Sequence, residues 1–359
     1  MENILGFLTP AFLALTIFVL NAWLPGKWFA GYITKPGSTE KMRYRLNGFS
    51  VFVVVVLLWF LAGYFNLVPF DWLYSYRWHG LGGAFVTGLI FSIAVVFPFP
   101  KVRKWVIADL YLGRKENLQF REGRVDAKMW LYLYGAIVLE LNVLSFTAHH
   151  IITFGNQSSP GIIISAVLLT YFIIDYLTFE RVHLYTYDLF AERVGFKLGW
   201  GCIVFYSYFY AIALWTTVDL TNPQTPAWLL GLYVFLFLIG WSLARGANMQ
   251  KYFFKTNPER SFLGIVPKTI TNGEKTLLVN GFWGVSRHVN YLGEILMSTG
   301  IILCVGYPQL IWPWLYPLYY LALLFTRQHY DDKRCAIKYG DLWKKYVEKV
   351  PYRIIPFVY

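Results

Sequence analysis

Three separate stretches of the C-terminal third carry side chains that bind anions. Each stretch lies beside an apolar run and combines cations with amides or carboxylates. Arg and Lys pair with phosphate through charge-assisted hydrogen bonds, so the stretches predict a site for an anionic cofactor with several phosphates. Membrane topology alone explains Lys and Arg beside apolar runs, but not the amides and acids. The stretches contain Arg245, Asn248, Gln250, Lys251 and Lys255; Arg287, His288 and Asn290; and Arg327, His329, Asp331, Asp332, Arg334, Lys338 and Tyr339.

Carboxyl groups within or beside apolar segments form a second set of candidates. Ionisable residues in membrane helices are costly, and a functional role is the first hypothesis for each of them. A buried carboxyl has a raised pKa and can act as a general acid. Packing and hydrogen bonding are the alternative roles for each carboxyl taken singly. The candidates are Glu140, Asp175, Glu180, Asp188 and Glu294.

Several other kinds of site are not supported by the sequence. It contains neither GxGxxG nor GxxxxGK, so neither a Rossmann dinucleotide site nor a P-loop is expected. It contains no HExxH and no paired Cys or His spacing, so no metal site is expected. The formal net charge is +12, which in a soluble protein would suggest nucleic acid. Here the basic residues are segregated along the chain as membrane topology requires, and no nucleic-acid partner is expected.

The elements that position these side chains are membrane helices. The 359 residues are 57% hydrophobic and 14% charged, whereas about 25% charged residues are usual in soluble domains. Nine apolar runs approach the roughly 20 residues that cross a bilayer. The sequence therefore predicts an all-α, polytopic integral membrane helical bundle with about nine to ten transmembrane helices. The runs lie near 6–24, 48–68, 79–98, 129–153, 161–179, 200–219, 227–244, 289–306 and 310–326.

The distribution of basic residues predicts the topology. Of the 32 Lys and Arg residues, 31 fall in the segments 25–47, 99–128, 180–199, 245–288 and 327–359. With nine helices these segments share one side, so the positive-inside rule places the N-terminus outside and the C-terminus in the cytoplasm. The segment 245–288 reads as a long polar connection. Near the end, apolar residues at i, i+3, i+4 and i+7 predict a cytoplasmic amphipathic helix that Pro351 ends. Its apolar stripe is Tyr339, Leu342, Trp343, Tyr346, Val347 and Val350.

Specific motifs run through the C-terminal part of the chain. They are LLVNGFWG at 277–284, SRHVNYLGE at 286–294, the stretch 327–335, KYG at 338–340 and VPYRIIP at 350–356, with DLYLGR at 109–114 and NMQK at 248–251. Together they resemble the sterol reductase family from about residue 105 to the end. That family includes delta-14, delta-7 and C-24(28) sterol reductases and the lamin B receptor. The middle region 174–202 is most similar to delta-7 reductases.

The resemblance implies where a cofactor and a substrate bind. In the family the last helices and the tail bind NADPH in a cytoplasmic pocket that meets a lateral sterol pocket. The chain is then a single membrane domain, 1–359, with N-terminal helices and the first cytoplasmic motif in 1–128, substrate-side helices in 129–244 and an NADPH-binding region in 245–359. Lys255 stands where the family often has Arg, and a lysine makes no bidentate phosphate contact. The implied cofactor contacts are Lys251, Lys255, Arg287, Asn290, Arg327, Asp331, Lys338 and Tyr339.

The function implied is NADPH-dependent reduction of a sterol carbon–carbon double bond, of the delta-7 or delta-14 type, with C-24(28) reduction as an alternative. The alkene is protonated before hydride transfer, and Glu180 or a tyrosine of 206–210 such as Tyr210 is the candidate acid. The sterol enters from lipid. The expected membrane is the endoplasmic reticulum in a eukaryote or the inner membrane in a bacterium.

Two other classes remain as alternatives. A prenylcysteine-type carboxyl methyltransferase that uses S-adenosylmethionine shares a helix start rich in His and Arg and a basic amphipathic tail. Such proteins usually have the sequence Arg-His-Pro, whereas this chain has Val289 in place of the proline. A non-catalytic membrane scaffold is the other alternative, and the presence of Asn290, Arg327 and Asp331 argues against it.

Overall fold

The computed structural model describes residues 1–35 and 37–359, which form a predominantly helical protein with three short antiparallel strand pairs. Among these residues, five helices are long and apolar enough to cross a membrane by length and composition, and the apolar helices Gly48–Tyr64 and Val289–Cys304 are shorter. The prediction of a polytopic helical membrane protein is confirmed. The chain divides into two compact units, Met1–Pro223 and Gln224–Tyr359.

The described residues of the first unit form eleven α-helices, two strand pairs, a 3₁₀-helix at Gly155–Gln157 and a π-helix at Gly201–Phe209. Its helices and strands are α1 (Glu2–Trp23), β1 (Lys27–Thr34), β2 (Lys41–Leu46), α2 (Gly48–Tyr64), α3 (Trp72–Ser75), α4 (Arg77–Val96), α5 (Val106–Leu112), β3 (Gln119–Phe120), β4 (Val125–Asp126), α6 (Ala127–Phe154), α7 (Pro160–Thr178), α8 (Glu180–His183), α9 (Tyr187–Ala191), α10 (Phe196–Trp200) and α11 (Ile212–Thr217).

Helix α6 forms the centre of the first unit. It begins at Ala127 because the Asp126 side chain accepts hydrogen bonds from the backbone N–H groups of Lys128 and Met129, at 3.0 and 3.2 Å. Its residues are buried on almost every side, and α1, α7 and the π-helix pack around it. Helix α1, in contrast, exposes most of its apolar side chains, as a helix that faces lipid does.

The π-helix approaches α6 closely because residue 135 is glycine. A methyl group at Gly135 would overlap the Tyr206 ring and lie 3.1 Å from the Cys202 carbonyl oxygen. We therefore expect Gly135→Ala to destabilise the folded protein by about 1–3 kcal/mol, the usual cost of overpacking a core. Thermal unfolding in detergent would measure this. The matched control is Gly231→Ala in the second unit, which has open space around it. Alanine loses less backbone entropy than glycine on folding, so this control should gain about 0.5–1 kcal/mol of stability. An equal loss for both variants would contradict the packing argument.

A buried carboxylate organises the polar segment between α4 and α6. The Asp109 side chain accepts hydrogen bonds from the backbone N–H groups of Val102 and Arg103, each at 3.0 Å, and pairs with the Arg114 guanidinium at 2.9 Å. Arg114 donates in turn to the Phe99 carbonyl at 2.7 Å. The DLYLGR motif at 109–114 therefore holds this segment in one conformation.

The second unit is built on three long or apolar helices and a hairpin. Helices α12 and α14 approach at small residues, since a methyl group at Gly240 would lie 2.6 Å from the Gly293 carbonyl oxygen. Close contact of this kind is typical of membrane helix pairs. The elements are α12 (Ala227–Thr256), β5 (Thr269–Thr271), β6 (Thr276–Leu278), α13 (Phe282–Val285), α14 (Val289–Cys304), α15 (Ile311–Tyr339) and α16 (Asp341–Lys349).

The predicted segments match the observed helices, with three differences. Helix α12 continues to Thr256, twelve residues beyond the predicted end at 244, so the polar connection is shorter than predicted and contains the β5–β6 hairpin. Helix α15 continues from the predicted end at 326 to Tyr339. The segment 200–219 is a π-helix followed by α11, not one continuous α-helix. Hydropathy marks only the apolar part of a helix, which is why it missed the polar extensions. The predicted amphipathic helix is observed as α16, whose Leu342 and Tyr346 are buried, but it is shorter than predicted because Tyr339 ends α15 and Val350 follows α16.

Candidate functional site

The polar extension of α12 places one group of predicted residues on a helix. Gln250 is buried, accepts a hydrogen bond from the Phe282 N–H at 3.0 Å and donates to the Asn280 carbonyl at 3.3 Å. Both contacts hold the chain before α13 against α12. Gln250 therefore shapes the site through the backbone of 280–282.

Asn290, at the start of α14, has an unused hydrogen-bond acceptor. Its Nδ2 lies 3.5 Å from Oδ1 of Asn248 on α12, the outer limit of a hydrogen bond. Its own Oδ1 is buried and meets no donor within the described residues. An orphaned buried acceptor is costly unless a ligand or water supplies a donor. Asn290 and Asn248 therefore form a polar position between α12 and α14 that is suited to a ligand.

Lys251, on α12, interacts with side chains of two other elements of the second unit. Its ammonium lies 5.5 Å from the centre of the Trp283 ring, a cation–π distance. Burial raises the pKa of the Cys335 thiol, Asp331 raises it further, and Arg334 and Lys251 oppose the rise. Lys251 of α12 and Asp331 of α15 therefore both act electrostatically on the Cys335 thiol. Trp283 was not among the predicted site residues, although the GFWG motif contains it.

Arg287 is committed to the C-terminal tail. The guanidinium is buried and donates to the carbonyls of Val350 and Pro351, at 3.1 and 3.0 Å, and to Asp332 at 3.2 Å. The backbone N–H of Arg287 donates to the Tyr352 carbonyl at 2.9 Å. Arg287 therefore joins the start of α14, the tail and α15, which is a positioning role.

Asp332 lies beside two guanidinium groups and a histidine ring, and it was missing from the predicted contacts. Besides Arg287, it lies 3.9 Å from the His288 ring and 3.7 Å from the Arg353 guanidinium, and Gln328 donates to it at 2.6 Å. Burial raises the pKa of this carboxyl, but the nearby His288 and Arg287 bring it below its ordinary value. Asp332 is therefore an anion that anchors the tail. Only the positions of its partners, which are far apart in the sequence, reveal this role.

Lys338 and Tyr339 line a surface cavity of 470 Å³ at the corner between α15 and α16. The β5–β6 hairpin forms its other wall, and Lys275 Nζ donates to the Lys338 carbonyl at 2.7 Å. The two remaining predicted residues lie half-buried on the same helices as the others. Lys255 is one turn after Lys251 on α12, and Arg327 is one turn before Asp331 on α15.

The predicted acid Glu180 lies in the first unit, at the start of α8. It is buried, and its Oε2 accepts a hydrogen bond from the Gly48 N–H at 2.8 Å. Burial raises the pKa of Glu180 to about 7, although the Gly48 hydrogen bond lowers it. A side chain at residue 48 would overlap the carboxyl group, so Gly48 is required for this contact. Glu180 can therefore hold a proton near neutral pH.

Tyr210 is connected to α8 through a series of rings. Its ring lies 4.9 Å from that of Tyr206, which is 6.5 Å from the ring of Tyr176. Tyr176 stacks on His183 of α8 at 3.8 Å. Tyr210 therefore borders an aromatic cluster formed by Tyr206, Tyr176 and His183, and α8, which contains His183, begins at Glu180.

The fold and the side chains together define a class of protein. It is a polytopic helical membrane protein that carries cations and amides on its last helices. The sequence matches the Ergosterol biosynthesis ERG4/ERG24 family over residues 7–359, and the chain belongs to that family. The resemblance noted from the motifs is thereby confirmed.

Three relatives illustrate the similarity. The delta(14)-sterol reductase of Arabidopsis thaliana is 30% identical over 354 residues, covering 94% of this chain and 91% of the relative. The delta(14)-sterol reductase TM7SF2 of Mus musculus is 32% identical over 335 residues, covering 89% and 78%. The 7-dehydrocholesterol reductase of Xenopus laevis is 28% identical over 365 residues, covering 94% and 75%.

Proposed function

We propose that this protein reduces a carbon–carbon double bond of a sterol with NADPH. The observation that carries the proposal is the family match over residues 7–359, with relatives named delta(14)-sterol reductase and 7-dehydrocholesterol reductase. The double bond is at C14 or C7 of the sterol, and C-24(28) is the alternative position. The sterol enters from the lipid, and the C-terminus faces the cytoplasm, in the endoplasmic reticulum membrane of a eukaryote or the inner membrane of a bacterium.

The side chains of the second unit suit a dinucleotide phosphate. Lys251 and Asp331 both act electrostatically on the Cys335 thiol, Asn290 offers an unused acceptor, and Lys338 and Tyr339 line a cavity. Phosphates pair with cations, while amides and acids of fixed geometry suit ribose hydroxyls and the carboxamide. Lys251, Lys255, Asn290, Arg327, Asp331, Lys338 and Tyr339 would hold the cofactor, and Arg287 would hold the tail in place for them.

The reaction requires an acid as well as a hydride. An isolated alkene is not a hydride acceptor, so a proton must add first and leave a carbocation on the more substituted carbon. A bound NADPH would supply the hydride for this cation. Glu180 is the proposed proton donor because its buried carboxyl retains a proton near pH 7. Tyr210 is the alternative donor. The apolar surroundings exclude water, which would otherwise capture the cation.

The test uses purified protein in lipid nanodiscs with NADPH and three sterols, each with one double bond at C14, C7 or C-24(28). We expect NADPH oxidation that depends on sterol, and a product two mass units heavier, with the C14 or the C7 substrate. A parallel experiment replaces NADPH with S-adenosylmethionine. Tight binding of S-adenosylmethionine with methyl-ester formation would instead establish a methyltransferase. Binding of neither cofactor would establish a scaffold.

Asn290 gives a sharper test of the cofactor site. Asn290→Ala removes the unused acceptor, so we expect NADPH affinity to fall roughly 10-fold, the scale of one lost hydrogen bond to a charged or polar ligand. Titration of tryptophan fluorescence with NADPH measures the affinity. The matched control on the same helix is Thr299→Ala, whose hydroxyl donates to the Ile295 carbonyl of its own helix. Equal NADPH affinity in Asn290→Ala and the wild type would remove Asn290 from the site.

A further inference from the structure

The cavity at the α15–α16 corner has a cationic wall that the sequence motifs do not contain. Lys275 comes from the β5–β6 hairpin and Lys345 from α16, and both line the cavity together with Lys338. Neither Lys275 nor Lys345 belongs to the motifs that resemble sterol reductases. The hairpin is tied to α15 because Lys275 Nζ donates to the Lys338 carbonyl at 2.7 Å. The two extra lysines are therefore held beside a residue proposed to contact the cofactor.

The charge of the cavity matches a phosphomonoester. Three lysines against the single carboxylate of Asp341 give the lining a formal charge of +2. Asp341 is itself paired with Lys344 at 2.8 Å, which reduces its repulsion of an anion. A phosphomonoester carries about −1.5 to −2 charges at pH 7 and three acceptor oxygens, whereas each phosphate in a diphosphate bridge carries about one charge. The lining therefore favours a terminal phosphate.

The size of the cavity also suits a phosphate attached to a sugar. Its volume of 470 Å³ lies within the roughly 300–1,000 Å³ usual for small-molecule pockets. The ring of Tyr339 and the Asn272 side chain provide an apolar surface and a polar group beside the lysines. The uncapped N-terminus of the nine-residue helix α16 adds a partial positive charge at the same wall.

We propose that this cavity receives the 2′-phosphate of NADPH, and that Lys275 and Lys345 determine the preference for NADPH over NADH. This inference rests on the proposed function and names the part of the cofactor that the cavity recognises. The same phosphomonoester chemistry occurs in anionic lipid headgroups, and α16 is an amphipathic helix of the kind that lies on membranes. The experiment therefore separates the two sources of phosphate.

The experiment measures binding of NADPH, NADH, 2′,5′-ADP and 5′-AMP to the full chain in nanodiscs of neutral lipid. Lys345→Ala and the double variant Lys275→Ala with Lys345→Ala should weaken NADPH binding roughly 10-fold for each lysine lost, the scale of a charge-assisted contact. NADH affinity should stay the same, and 2′,5′-ADP should lose its advantage over 5′-AMP. The controls are Lys268→Ala beside the hairpin and Lys349→Ala on α16, both exposed and outside the cavity. Lys345→Ala leaves the hairpin contact intact, so it excludes a general loss of folding.

Equal effects on NADPH and NADH, or no effect on either, would overturn the proposal. A second series in nanodiscs with phosphatidic acid tests the lipid source. If the two lysines change binding to that lipid and leave the NADPH-to-NADH ratio as it was, the cavity holds a headgroup and the proposal is wrong. If the wild type binds neither dinucleotide, both this inference and the proposed function fail. If it binds NADPH and NADH equally well, only this inference fails.

Discussion

Glu180→Gln is expected to lower kcat for sterol reduction by a factor of about 10²–10⁴, the range of general acid catalysis. Glutamine is nearly isosteric and keeps an acceptor for the Gly48 N–H, but it has no proton to donate. NADPH affinity should remain unchanged, because Glu180 is not among the proposed cofactor contacts. Single-turnover assays with saturating NADPH and sterol measure the effect. Full turnover by the variant would exclude Glu180 as the acid and leave Tyr210 as the candidate.

The pH profile provides an independent reading of Glu180. Burial raises the pKa of its carboxyl from 4.5 to about 7, so the protonated, active form is lost as the pH rises through about 7. The wild-type kcat should fall on the alkaline side of that value. The decline should be absent from the residual activity of Glu180→Gln. A flat wild-type profile from pH 6 to 8 would contradict the assignment.

The difference in stability between the wild type and Glu180→Gln should also depend on pH. The folded state binds the Glu180 proton more tightly than the unfolded state, so the free energy of unfolding falls as the pH rises from about 4.5 to about 7. Glutamine does not ionise, so the stability of the variant does not fall in this way. Glu180→Gln should therefore gain up to roughly 3 kcal/mol at pH 8 and nothing at pH 4.5, since one pKa unit corresponds to about 1.4 kcal/mol. Gly48→Ala, which displaces the carboxyl sterically, should instead destabilise at every pH.

Arg287→Lys is expected to have the second large effect, through the tail. A lysine keeps the positive charge but cannot reach the Val350 and Pro351 carbonyls and Asp332 together, so buried hydrogen bonds of the guanidinium are lost. A hydrogen bond to a charged group contributes about 1.5–3 kcal/mol. Thermal unfolding of the detergent-purified protein should show this loss, and NADPH affinity should fall with it because the tail lies beside the proposed contacts.

A matched control on the same tail is Lys344→Ala, which breaks only the exposed pair with Asp341. Exposed pairs contribute little to stability, so its melting temperature should match that of the wild type. If Arg287→Lys keeps the wild-type melting temperature and loses only NADPH affinity, Arg287 is a cofactor contact and not a positioning residue.

The apolar runs were enough to predict the helices, but not where two of them end. Residues 245–256 look like a connection because they are polar, yet they continue α12, where Gly246 allows the Phe282 ring to pack against the helix. The β5–β6 hairpin was missed for the same reason, and Lys275 with it. Hydropathy reports contact with lipid and carries no signal for helices that continue into water.

The chemical types of the site residues could be predicted from the sequence, but the role of each residue could not. Arg287 and Lys251 are both cations beside apolar runs, and only the structure shows that the first is occupied by carbonyls more than sixty positions away. Glu180 was recognised as a buried carboxyl, but its partner Gly48 lies 132 positions earlier. Partners so distant in sequence leave no local pattern.

Isotope transfer tests the central claim most directly. Purified protein would reduce the sterol with NADPH deuterated at C4 of the nicotinamide in ordinary water, and with ordinary NADPH in D₂O. Mass spectrometry should find one deuterium from the cofactor in the first product and one from solvent, at the adjacent carbon, in the second. A reduced sterol without cofactor deuterium, or no reduced sterol of any kind, would contradict the account.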